Sequence, residues 1–150
     1  DASVPVRERA DYRDLVLNEA DQTVSFIKPL SLDLGGIAKG YIADELAGML
    51  EDSGITNLAV SVGGEIVLAG SPPSRKGWGI DLEGPGQKVV ASMELSRAAL
   101  SSSGDSYQFA EIEGERSAHV LDPNTGKGKQ DQLNITVIAP TAMQADALYV

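Results

Sequence analysis

Cysteine is absent from the 150 residues, which excludes disulfides, thiolate metal sites and a cysteine nucleophile while leaving the redox compartment open. Basic residues are few: 12 Lys and Arg stand against 22 Asp and Glu, for a formal net charge of −10. Such a charge repels phosphate backbones, and the basic residues are scattered rather than striped, so nucleic acid is not an expected partner. No apolar run approaches the ~18 to 20 residues that span a bilayer, and no amphipathic stretch is rich in Lys or Arg. There is no G-x-S-x-G, G-x-G-x-x-G or H-E-x-x-H, and Gly126-Lys127 is followed by Gly128 rather than the hydroxyl residue of a P-loop. What is present is a composition that buries a core: 42% hydrophobic and 23% charged residues at the length of one domain. The chain opens on Asp1, and its last ten residues, Thr141 to Val150, stop within a helical pattern, so a piece of something longer is expected.

The patterning predicts an α+β domain. Asp14–Leu17 and Thr23–Ile27 read as a hairpin around Asn18–Asp21. From Gly36 to Asp52, Ala38, Ile42, Leu46, Met49 and Leu50 follow helical spacing, with Gly54 placed as a C-terminal cap. Strand-like runs follow at Leu58–Val62, Ile66–Ala69, Trp78–Leu82, Lys88–Leu95, Ala98–Ser102, His119–Leu121 and Leu133–Ile138. Pro140, Thr141 and Gln144 then give a capping-box start to a second helix. No regular strand-helix alternation supports a doubly wound sheet.

Four segments at element boundaries carry chemistry-bearing residues. Asp33-Leu-Gly-Gly-Ile-Ala-Lys-Gly40 opens the first helix, where free N–H groups, the helix dipole and Lys39 suit an anion; a glycine-rich turn with a solvated lysine is the other reading. Ser101-Ser-Ser-Gly-Asp105 offers hydroxyls at a strand end, or a plain turn. His119, the only histidine, leads into Asp122-Pro-Asn-Thr-Gly126, and an imidazole with a pKa near ~6.5 is a candidate general base as well as a candidate structural residue. Asp146 lies between alanines on the last helix, either a carboxylate with room for a ligand or an exposed helix residue. With one histidine and no cysteine, a hard cation such as Mg²⁺ suits these donors better than Zn²⁺.

In order, these segments, with Gly63-Gly64-Glu65-Ile66, Trp78-Gly79-Ile80 and Ala145-Asp-Ala-Leu148, resemble the ApbE family of FAD:protein FMN transferases over about Val16 to Leu148. The resemblance implies one ApbE-like, T-fold-like domain over residues 1–150, mostly antiparallel sheet with two main helices and incomplete at its N-terminal side. It implies a Mg²⁺-dependent enzyme that takes FAD as substrate, splits it, and attaches FMN through a phosphoester to Thr or Ser of an acceptor protein. Release of FMN and AMP by an FAD pyrophosphatase, or an FAD-binding module without catalysis, are the alternatives. His119 matches the residue that activates the acceptor hydroxyl, and Asp146 and the Gly36 carbonyl match metal ligands. Lys39, Gly63, Gly64, Ser102, Ser103, Gly104, Asp105 and His119 match segments lining the flavin-nucleotide pocket. Val150 stands where the family usually supplies a further metal-binding hydroxyl, and Glu65 where Asp is usual. The family further implies a periplasmic or cell-envelope location, a lipid anchor outside this chain, and a respiratory electron-transfer subunit as acceptor.

Overall fold

Short apolar runs separated by glycine turns become strands, and the two stretches with helical spacing become helices. The computed structural model describes residues 11–84, 86, 88–104, 109–112, 115–118 and 134–149. Among them the elements run β1 (Leu15–Asn18), β2 (Thr23–Phe26), α1 (Ala38–Asp52), β3 (Leu58–Val62), β4 (Glu65–Ala69), β5 (Trp78–Glu83) and β6 (Val89–Leu95). After these come β7 (Ala98–Gly104), β8 (Phe109–Ile112), β9 (Glu115–Ala118), β10 (Asn134–Ala139) and α2 (Ala142–Tyr149). Every strand pairing among them is antiparallel, which makes the domain α+β as its patterning predicts. The patterning misses the β8–β9 hairpin and a short 3-10 turn at Tyr12–Asp14, and the expected strand at His119–Leu121 lies outside the described residues.

The central sheet has the order β10-β7-β4-β3, and both helices pack against it. Strand alternation decides what meets the helices. Leu58, Val60 and Val62 of β3, Val67 and Ala69 of β4 and Ala99 of β7 pack with Ala43, Ala47 and Leu50 of α1 and Ala142 of α2. Glu65 is two residues before Val67 and pairs with Ser101, so its carboxylate and the Ser101 hydroxyl share this helix-facing side. Trp78 ties the β5–β6 hairpin to the sheet by donating from Nε1 to the Ala69 carbonyl at 3.0 Å.

The buried side of α1 differs from the one its large apolar residues suggest. Gly40, Ala43 and Ala47 are buried, whereas Ile42, Leu46 and Met49 are 47%, 42% and 65% exposed. The reason is how closely the helices approach. A Cβ added to Gly40 would overlap the Ala142 carbonyl and lie 2.7 Å from the Met143 Cα, so only a small-residue stripe at i, i+3 and i+7 fits there.

The helix ends explain the rest. At its C-terminus α1 closes on Gly54, with φ of +86°, through bonds from Gly54 N to Glu51 O at 2.9 Å and from Ile55 N to Leu50 O at 3.0 Å, a Schellman motif. At its N-terminus, Ile37 supplies no side-chain cap. Instead Gly40 N–H donates to Asp146 Oδ2 of α2 at 2.9 Å. The favour is returned, because Ala142 N–H and Met143 N–H donate to the two Asp44 carboxylate oxygens at 2.8 and 2.9 Å. Thr141 adds the local cap foreseen from sequence, accepting from Gln144 N–H at 3.2 Å. Each helix thus caps the other with an aspartate from its own second turn.

Candidate functional site

The site is built where the β3–β4 turn meets the start of α1 and the middle of α2. Gly63 and Gly64 turn the chain with φ of +60° and +109°, the left-handed pair that a two-residue hairpin requires and that glycine adopts without strain. A Cβ at Gly63 would sit 3.4 Å from Lys39 Cδ, so the turn lies along the lysine stem. It also delivers Glu65 onto the inner face of the sheet, where the residue is 2% exposed. On the helix side, Asp33 Oδ1 accepts the Gly35 N–H at 2.8 Å, which bends the chain into α1 and sets Lys39 on its first turn.

The Lys39 ammonium is the hub. Its Nζ lies 2.8 Å from Glu65 Oε1 and 3.3 Å from Asp146 Oδ1, and donates to the Gly35 carbonyl at 3.2 Å. An ammonium has three N–H donors, and here each has an oxygen. Asp146 is fully buried, and its second oxygen is held by Gly40 N–H. That N–H therefore does not serve the Gly36 carbonyl four residues back. Ser101 Oγ lies 3.4 Å from Glu65 Oε1, while Glu65 Oε2 is buried with no hydrogen-bond partner.

Burial works against the charged form of Lys39, but its bonds to Glu65 and Asp146 outweigh it and hold the ammonium above the ordinary lysine value. Burial pushes the Glu65 carboxyl above the ordinary glutamate value; Lys39 opposes this and the Asp146 charge adds to it. The causes differ, the carboxylates for Lys39 and burial for Glu65, but both arise in a cluster where two buried carboxylates share a single ammonium.

The structure thus brings together Lys39, Gly63, Gly64 and Asp146 from the expected residues, with Gly36 in the turn that opens α1. The ammonium of Lys39 is turned inward to carboxylates rather than outward to an anion. Ser102, Ser103 and Gly104 are strand residues, paired with Thr136, Ile135 and Asn134 of β10. The Ser102 hydroxyl lies 3.0 Å from that of Thr136, on the sheet face opposite Glu65. Ser101, one position earlier, is the serine whose hydroxyl reaches the cluster. Asp105, His119 and Val150 lie outside the described residues. Ser101 is one of the three hydroxyls already singled out, Glu65 lies in the Gly63–Ile66 segment without a site role of its own there, and Asp44 lies in none of the singled-out segments. A signal existed for Glu65, a charge in phase with Val67 and Ala69 on an otherwise apolar strand face; none existed for Asp44.

Among the described residues no three His, Cys, Asp or Glu side chains converge on one point. The donors that do converge are nonetheless oxygens: two buried carboxylates and a main-chain carbonyl, with the Glu65 Oε2 atom lacking a partner. Such a donor set fits a hard cation such as Mg²⁺. A separate cavity of about 210 Å³, lined by Ala47, Val67, Ala69, Arg97 and Pro140 among others, opens near the far end of β4 and contains none of the converging residues.

Comparison with known proteins identifies the family. The ApbE family model matches residues 3–149. The chain is 36% identical over 138 residues to the FAD:protein FMN transferase of Escherichia coli (strain K12), covering 88% of this chain and 39% of that protein. It is 40% identical over 144 residues to the FAD:protein FMN transferase of Haemophilus influenzae, covering 92% of this chain and 42% of that protein. It therefore spans well under half the length of these relatives. Among solved structures, the ApbE protein of Thermotoga maritima superposes with a TM-score of 0.82 at 29% identity, covering 92% of this chain and 45% of that one. The flavin transferase ApbE of Vibrio cholerae gives a TM-score of 0.76 at 33% identity, covering 92% and 44%. With a family model matched over nearly its full length, this chain belongs to the ApbE family.

Proposed function

We propose that this chain carries the cation-binding part of a Mg²⁺-dependent flavin transferase, which splits FAD and joins FMN to a threonine or serine of an acceptor protein. The observation that supports the reading is the oxygen cradle of Glu65, Asp146 and the Gly35 carbonyl at the start of α1, in a chain whose relatives bear the name FAD:protein FMN transferase. In the reaction the acceptor hydroxyl oxygen forms a bond to the FMN phosphorus, the pyrophosphate P–O bond breaks, AMP leaves, and the hydroxyl proton passes to a base. His119 is the base in this reading, because its unperturbed pKa near ~6.5 suits proton removal at neutral pH.

Asp146, Glu65 and the carbonyls of the Gly35-Gly36 turn would hold the cation. When bound, Mg²⁺ supplies charge neutralisation and polarisation of phosphoryl oxygens. The chain's own contribution is orientation. Gly40 N–H fixes one oxygen of Asp146 so that the other faces Lys39, and the Gly63-Gly64 turn keeps Glu65 on the inner sheet face. The same reading puts the work in the cell envelope, on a respiratory subunit.

The test is intact-mass spectrometry of an acceptor protein incubated with FAD, Mg²⁺ and the full-length transferase. A mass gain of one FMN that disappears with His119→Ala and Asp146→Ala is expected. No adduct with a competent acceptor, or an adduct indifferent to His119→Ala, overturns the assignment. Chromatography without acceptor separates transfer from hydrolysis, which releases FMN and AMP to water.

A further inference from the structure

Lys39 fills a place whose surroundings are those of a metal ion. All three of its donors end on oxygens that hard cations favour, two of them from carboxylates. The members differ in exposure. The Glu65 and Asp146 side chains are 3% and 0% exposed, whereas that of Lys39 is 40% exposed. Asp146 is pinned by a main-chain N–H from another element, while Lys39 is anchored only through its own flexible stem. The ammonium also satisfies the cradle incompletely. Glu65 Oε2 is buried and without a partner, and an ammonium with its three donors spent has nothing left to give it. A six-coordinate divalent cation does have. Charge points the same way: two carboxylates and one ammonium sum to −1, whereas two carboxylates and one divalent ion sum to zero.

We propose that Lys39 is an exchangeable counter-ion: a divalent cation takes the cradle of Glu65, Asp146 and the Gly35 carbonyl, and the Lys39 ammonium is driven out to the exposed side of the α1 start. Glu65 is then a ligand-bearing residue, and the freed ammonium sits at the positive end of the helix dipole, where an anionic phosphate is favoured. The exchange rests on the cation reading given above. It explains how one lysine holds the cradle together and later faces the nucleotide.

The exchange is read without turnover. The chain is treated with limiting acetic anhydride, with and without Mn²⁺, and acetylation at Lys39 is quantified by peptide mass spectrometry against the exposed Lys76 and Lys88. Mn²⁺ affinity is measured by calorimetry on the same chain and on Lys39→Met and Lys39→Gln. Expected is a protected Lys39 without metal whose labelling rises to the level of Lys76 and Lys88 as Mn²⁺ saturates. A dissociation constant tightened by roughly tenfold or more in the Lys39 variants is also expected, the factor equivalent to one charge-assisted hydrogen bond lost by the competitor. Binding seen only in the variants overturns the exchange, because the ammonium then keeps the cradle in the wild type, and leaves the cation reading of the oxygens standing. Mn²⁺ binding with Lys39 labelling unchanged overturns the exchange and leaves the cation reading standing. No Mn²⁺ binding by the wild type or by either variant overturns the cation reading and the exchange together. Should a variant fail to fold, labelling of the wild type still decides.

Discussion

Two glycines eight residues apart on α1 should answer the same substitution with opposite signs. A Cβ added at Gly48 meets nothing within 4 Å, so Gly48→Ala removes backbone freedom from the unfolded chain and stabilises the helix by about 0.8–1 kcal/mol. For a chain of this size that is a rise of about 2–4 °C in Tm. Gly40→Ala meets main chain. The Met143 Cα, 2.7 Å from the new Cβ, must retreat to the ~3.5 Å of ordinary carbon contact. Overpacking of this kind costs about 1–3 kcal/mol, and the upper end applies because a helix backbone cannot rotate away as a side chain does. The retreat also stretches the caps from Asp146 to Gly40 and from Asp44 to Ala142 and Met143, worth about 1 kcal/mol more. Less a propensity gain under ~1 kcal/mol, the net loss is about 3 kcal/mol, or roughly 6–12 °C. Thermal melts followed by circular dichroism on the two single variants decide it. A Gly40→Ala protein that melts at or above the wild type would refute the close approach of the helices and, with it, the mutual capping.

Three further outcomes are expected. Asp44→Ala, which strips two N–H bonds from the start of α2, lowers stability by about 1–2 kcal/mol in urea unfolding, and Asp44→Asn restores only part of it, because an amide offers one acceptor oxygen to two N–H groups. Ser101→Ala removes the hydroxyl beside Glu65 and weakens Mn²⁺ binding by calorimetry, whereas Ser102→Ala, on the opposite sheet face, costs at most ~1 kcal/mol of stability and leaves Mn²⁺ affinity unchanged. The third concerns pH. The native value of Lys39 is raised, so its contribution is whole below the ordinary lysine value and is lost as pH climbs through the raised one; Lys39→Met flattens the alkaline limb of urea midpoint against pH. Glu65 is raised as well, so its share is whole below the ordinary glutamate value and fades as pH rises through its native one, and Glu65→Gln removes that slope.

Much of the architecture is legible from local pattern. The hairpin at β1–β2, the Gly54 cap, the Gly63-Gly64 turn and the start of α2 at Thr141 each depend on residues within a few positions of one another. What escapes depends on partners far away. The inner face of α1 is set by how near α2 comes, which selects Gly40, Ala43 and Ala47 and leaves Ile42, Leu46 and Met49 outside. Which of three successive serines reaches the site depends on the Glu65–Ser101 register, a pairing across 36 positions. The β8–β9 hairpin is hidden by its composition, since Glu111, Glu115 and Arg116 lie in strands that lack a long apolar alternation. Asp44 looks like any surface charge until the helix it caps is placed beside it.

The exchange of caps between the helices has a consequence for how the chain is made. The group that caps the Gly40 amide of α1 lies 106 positions downstream of it, so on a ribosome that amide waits for its partner while the central sheet is synthesised. Contacts of such long range form late and slow folding. A nascent polypeptide halted before Asp146 lacks one carboxylate around Lys39 and the cap of the Gly40 amide at once.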